Sequence, residues 1–432
     1  MVGHDYKYSL IRNFGVTELK SYLKTQMKDF NDCYGRAPGS NSREKMCALL
    51  NEKVKKGFDD THVDKTLFET LLYLIPERCY YLKLNTKLKE DFVWEKLKKS
   101  RNYLPIIDRK LSKIISRDED LITIRKEGQK IIFLFKQSTV GLGIGKEKCT
   151  FYIPCVLDFK EKHMEIRVNQ YMLRHTSRDN GIKLKNIIEK MCSFVNNSLF
   201  KVVAGNLDEE NVSLSVVKST EAKIHKGLYS LFSLESAKSL DLIKEKVTEA
   251  EQKGSTKITE QVLRDNISNY LQDELLISNP EPYVEKVMSV KYQDTAQQIK
   301  KKEFIANGGY IFGFSFIDRK ITRSTNRNEE RNPVYSSPIY WNLKSVVKVY
   351  EEISELGVYW KFNKKDFNKS LTDKKMAKKD LTFVEVCFKE IHGVLEIHYY
   401  VQYDETGILT SFIDGRRIKE SYVIQKIKDF VQ

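Results

Sequence analysis

Two sets of residues in this sequence have the types and spacing that chemistry needs. The first is Asp158 with Glu165 and Arg167, placed on adjacent strands if 150–159 and 164–171 form a hairpin. Two carboxylates could hold Mg²⁺ while a cation two positions on steadies the attacking water, which is the outline of a metal-dependent nuclease. The cation is Arg rather than Lys, the turn is tight, and no other carboxylate is tied to the pair. Charged ends of a surface hairpin account for the same residues.

The second set is Cys387, His398 and Glu385. Residues 381–391 and 395–403 both alternate, and His392-Gly393 suits a two-residue turn whose second position needs positive φ. Pairing Ile391 with Val394 sets Lys389 opposite Glu396, Cys387 opposite His398 and Glu385 opposite Tyr400. An imidazole that takes the thiol proton and a carboxylate that orients the ring would activate a thiolate. The same register makes Lys389 and Glu396 a cross-strand ion pair, so a hairpin packed on its Val384, Val386 and Phe388 face explains the pattern too.

Charge points elsewhere. Lys and Arg number 74 against 59 Asp and Glu, a formal net charge of +15 that favours an anionic partner, of which nucleic acid is the commonest. Lysine far outnumbers arginine, as on a plainly solvated surface, whereas base reading favours arginine. Three stretches concentrate the charge. In 83–117, Lys98, Lys99, Arg101, Arg109 and Lys110 are interleaved with Trp94 and Tyr103, a mixture suited to tracking phosphates and stacking bases. Arg319, Lys320, Arg323 and Arg327 follow an aromatic strand in a polar segment expected to be a loop, and are expected to make the specific contacts. Residues 360–379, with Lys364 and Lys365, are the densest cationic run and would supply bulk electrostatics.

Other motifs are weaker. Gly141-Leu-Gly-Ile-Gly-Lys146 lacks the first Gly and the hydroxyl of a phosphate-binding P-loop, and reads as a loop between strands. Phe312, Phe314 and Phe316 alternate as stacking aromatics on an RNA-binding sheet do, but alternating Phe equally makes a core face.

With 432 residues, 41% of them hydrophobic, the chain is long enough for several cores. Seven cysteines without CxxC spacing fit a reducing compartment and exclude a disulfide framework or zinc ribbon. No apolar run approaches the roughly 20 residues of a membrane span, and the first residues lack a signal-peptide core, so a cytoplasmic location without membrane contact is expected.

The elements divide the chain into four parts. Residues 1–118 read as a helical bundle, basic at its end; 119–220 as an antiparallel β meander with one helix; 221–306 as a helical connector broken at Gly254-Ser255 and ended by Pro280 and Pro282; and 307–432 as a small α+β domain with an antiparallel sheet. In that last part, 341–356 and 419–431 read as helices and 408–413 as a strand. The fold class is therefore α+β. The functional expectation is a nucleic-acid-binding protein, DNA favoured over RNA, serving as a non-catalytic subunit of a DNA- or RNA-processing or defence-type complex, with a protein partner or oligomer. No cofactor is expected unless the nuclease alternative holds, when Mg²⁺ is required. A scaffold for an acidic protein partner is the third reading.

Overall fold

The computed structural model describes residues 5–114, 120–143, 145–205, 212–253, 259–318, 322–366, 381–400 and 407–431. The chain opens with α1 (Tyr8–Ile11), α2 (Val16–Gln26), α3 (Phe30–Arg36), α4 (Ser42–Lys55) and α5 (Thr61–Tyr73). Next come β1 (Arg78–Thr86), α6 (Glu90–Lys99), β2 (Leu121–Glu127), β3 (Lys130–Leu142), β4 (Glu147–Asp158) and β5 (His163–Val168). Then follow α7 (Gln170–Asn180), α8 (Leu184–Ser193), α9 (Phe200–Ala204), β6 (Leu214–Val217), α10 (Glu221–Lys253), α11 (Glu260–Asp273), α12 (Glu281–Gln298) and α13 (Lys301–Ala306). The chain closes with β7 (Gly309–Asp318), β8 (Thr322–Arg327), α14 (Pro338–Tyr350), β9 (Glu355–Asn363), β10 (Leu381–Ile391), β11 (Val394–Tyr399) and α15 (Leu409–Val431). The fold is mixed α+β with antiparallel strand pairing and helices at the N-terminus.

Two compact units form, the first from Met1–Ser219 with His392–Ser421, the second from Thr220–Ile391 with Tyr422–Gln432. In the first, strands run in the order β2-β3-β4-β5-β1-β11, with β6 also pairing β1. The opening helices bury Leu23, Leu49 and Leu67 against Ile132 and Val156 of the sheet. Helix α5 is buried from Val63 to Tyr73 except at Lys65, so its polar groups need internal partners. Asp64 accepts from the Leu111 N–H and from Arg125, and the Thr70 hydroxyl donates to the Thr66 carbonyl.

In the second unit the order is β10-β9-β7-β8. Phe314 of β7 packs on Phe232 of α10 and Tyr340 of α14, and Trp360 and Phe362 of β9 pack on Tyr422 of α15. A bulge interrupts the β7–β9 register between Ile311 and Gly313, and the Phe312 ring lies over Gly357 where a Cβ would stand.

Several elements differ from the sequence reading. The helical stretch 1–118 contains a strand, β1, pairing β5, β6 and β11; its Cys79-Tyr-Tyr-Leu82 run is short and apolar, which periodicity alone does not separate from helix. In 119–220 there are three helices rather than one, because Asn169 caps α7 and Gly181, at φ 69°, ends it where a loop was expected. Pro280 and Pro282 sit at the start of α12 instead of closing the helical region, as the first helical turn tolerates proline. Helix α14 stops at Tyr350, with Glu351 left-handed, and Gly357 falls inside β9. Residues 322–327 of the expected arginine loop form β8. The expected strand 408–413 is the start of α15, whose buried stripe Leu409, Ile413, Arg416, Glu420, Val423, Ile427 has helical spacing. Two charged residues in that stripe hid it. The expected break at Gly254-Ser255, and residues 115–119 of the basic stretch, lie outside the described residues.

Replacing Gly357 by Ala drives a methyl group into the Phe312 ring, which is fully buried and has nowhere to go. Urea unfolding of Gly357→Ala is expected to show a loss of about 1–3 kcal/mol, the usual cost of overpacking.

Candidate functional site

The alternation of β5 puts His163, Glu165 and Arg167 on one side of the strand, and the β4–β5 register sets Asp158 opposite His163. The nuclease-like residues are thus brought together, but each is engaged by the protein. Asp158 Oδ1 accepts the N–H groups of Lys160 and Glu161, capping the turn, and Oδ2 lies 3.3 Å from Lys130 Nζ. Glu165 is 2% exposed; one of its oxygens is 2.8 Å from His163 Nε2 and the other accepts from both Nε and Nη2 of Arg167. Arg167 also donates to Glu420 and to the Leu72 carbonyl, with its guanidinium over the Tyr73 ring.

Burial would raise the Glu165 pKa, but the Arg167 charge, the His163 hydrogen bond and the Lys130 charge outweigh it and hold the carboxyl below its ordinary range. Burial would likewise lower the Lys130 pKa, and the charges of Glu165 and Asp158 reverse that. His163 was legible two residues before Glu165 on the same face, whereas Glu420, 253 positions from Arg167, had no signal in the sequence.

Cys387 and Glu385 belong to the second unit and His398 to the first. The Cys387 thiol donates to Glu355 at 3.4 Å, and Glu385 pairs with Arg331 at 2.8 Å. His398 lies against Tyr400. The turn residues His392 and Gly393 both take positive φ, as the two-residue turn requires.

The basic residues separate into held and projecting ones. Arg109 donates Nε and Nη2 to the Ile122 carbonyl, Lys110 donates to Asp60 and Thr61, and Lys98 pairs with Glu95 beside Trp94. Lys99 and Arg101 are exposed, with no acidic partner among the described residues. Arg323, Thr325 and Arg327 all project, exposed, from one side of β8; Arg327 reaches Glu355 at 3.0 Å. Lys364 and Lys365 lie in a 3₁₀ turn after β9, half-buried. Arg319 and Lys320 are outside the described residues, as is the rest of the lysine run from 367 to 379.

A cleft of about 300 Å³ in the first unit, which the sequence did not indicate, is lined by Tyr22, His62, Lys65, Glu69, Asp414 and Arg417. Arg417 is neutralised there by Glu69, Glu127 and Asp414. The cleft offers no net charge to an anionic ligand. No described helix is long and apolar enough to cross a membrane. Comparison with protein-family models, curated proteins and solved structures finds no match.

Removing the Arg167 guanidinium leaves Glu165 and Glu420 buried without their main counter-charge, so Arg167→Ala should cost about 3–5 kcal/mol in urea unfolding. Because the folded Glu165 pKa lies below the ordinary value of 4.5, its stabilisation is complete above pH 4.5 and is lost as pH falls toward the lowered folded value. Unfolding free energy measured between pH 7 and 3 should fall less steeply in Glu165→Gln than in the wild type.

Proposed function

We propose that the protein binds nucleic acid through phosphate contacts made by its exposed cations, DNA in preference to RNA. In this reading it is a non-catalytic, cytoplasmic subunit of a larger nucleic-acid-processing or defence-type assembly. The observation that supports it best is β8. A terminal strand of its unit, it presents Arg323 and Arg327 on one exposed side, four residues and thus about 13 Å apart, Arg327 also reaching Glu355 and the Thr325 hydroxyl between them bonded to Ser315. Arginine forks onto phosphate oxygens with two parallel hydrogen bonds. The net charge of +15 adds attraction independent of base sequence. Lys99 and Arg101 offer a second set of exposed cations in the first unit.

The nuclease reading finds less support, because both oxygens of Glu165 and both of Asp158 already have protein partners. The scaffold reading rests on a specific observation. Tyr283, Val287 and Val290 of α12 lie at i, i+4 and i+7 and are all exposed, while Val284, Met288 and Tyr292 bury the opposite side. Tyr270, Leu275 and Leu276 are also exposed apolar side chains, Leu276 being 84% exposed. Apolar side chains so arranged suit a protein partner.

The decisive measurement is a salt titration of affinity for labelled single- and double-stranded DNA and RNA, with and without Mg²⁺. Affinity should fall steeply with salt while the nucleic acid stays intact, and Arg323→Ala with Arg327→Ala should lower the log–log slope by about 2. Absence of binding at moderate salt would overturn the proposal. For the scaffold reading, Val290→Asp should release a protein that otherwise co-purifies from nuclease-treated extract; co-purification that survives this substitution would count against α12 as the contact.

A further inference from the structure

Among its described residues the second unit holds a cluster that neither the basic surface nor the buried ion pairs absorb. Glu221 and His225 lie one turn apart in the first two turns of α10, so their side chains share a helix face. Glu390 stands near the end of β10. A carboxylate oxygen from each glutamate and a ring nitrogen of His225 all lie within 4.8 Å of one another. Backbone bonds hold the three segments in place: the Ile353 N–H donates to the His225 carbonyl at 3.2 Å, and the Glu390 N–H donates to the Ser354 carbonyl at 3.3 Å. Beside them, a Glu352 oxygen lies 3.8 Å from His225 Nδ1.

His225 is the independent observation. Its side chain is only 6% exposed, and among the described residues neither ring nitrogen makes a hydrogen bond; the Glu352 contact is too long for one. The ring stands among three carboxylates, those of Glu221, Glu390 and Glu352.

We propose that Glu221, His225 and Glu390 bind one divalent transition-metal ion, with Glu352 close enough to join the shell or to orient the imidazole. The donor set decides the class. One imidazole with two or three carboxylates suits Zn²⁺, Mn²⁺ or Fe²⁺, whereas Ca²⁺ and Mg²⁺ take oxygen ligands alone. Ligands about 2.0–2.2 Å from a common metal are roughly 3–4 Å apart, so small rotations of the glutamate side chains close the shell. Three segments far apart in sequence, the start of α10, the residues before β9 and the end of β10, would then be fastened at one point. The role is structural, and it stands apart from nucleic-acid binding.

The test is a titration of the full-length protein with Co²⁺ alone, read by its visible d–d absorption, followed by displacement with Zn²⁺. The seven free cysteines are controlled for in the same spectrum, because thiolate ligation gives a separate charge-transfer band. The wild type should bind one equivalent without that band, and its melting temperature should rise by several degrees with Zn²⁺. Glu390→Gln and His225→Ala should each weaken binding at least tenfold, while Cys387→Ser leaves it unchanged. Should His225→Ala fail to fold by circular dichroism, Glu221→Gln and Glu390→Gln decide the matter. No binding below millimolar Co²⁺, a thiolate band in place of the expected spectrum, or glutamate variants that bind as the wild type does would each overturn the assignment.

Discussion

The first unit depends on a guanidinium that has almost no contact with water. Arg167, 1% exposed, lies between Glu165 and Glu420, and its remaining donor reaches the Leu72 carbonyl. Withdrawing those charges from solvent costs several kcal/mol each, and the cost is met only when every donor and lone pair has a partner. The arrangement is therefore all or none. It ties the end of α5, strand β5 and the first half of α15 to one point, and Arg416 extends it by donating to Glu420 while stacking on Tyr399 of β11. Two cations and two carboxylates balance, which lets so polar a cluster persist inside a sheet-and-helix core.

That cluster also governs how the acidic residues can be read. Glu165 and Asp158 have the spacing of a metal pair, yet a carboxylate occupied by Arg167 and His163 has no free lone pair directed at solvent. The same division runs through the basic residues. Those near carboxylates or carbonyls, such as Lys110 and Arg109, are part of the packing. Lys99, Arg101 and Arg323 face outward without such partners among the described residues, so they keep their charge available to an anion. Net charge says how many cations exceed carboxylates. Only the pairing says which cations those are.

Residue patterning by itself determined the fold class, the run of helices before β1, the β2–β5 meander, the long α10 followed by α11, and the positive-φ turn at His392-Gly393. Each is a local matter: period, caps and turn chemistry act over a few residues, and nothing distant had to be known. Tertiary structure decided the rest. Strand β1 exists because β5, β6 and β11 pair with it, and α15 begins at Leu409 because Arg416 and Glu420, polar in the sequence, find buried partners. The site residues follow the same rule. Glu165 and Arg167 were visible two positions apart, but Glu420 beside them, and Glu390 beside His225, come from segments far along the chain. The sequence states which charges a protein has; folding alone settles which are paired, because an ion pair forms through space and leaves no periodicity along the chain.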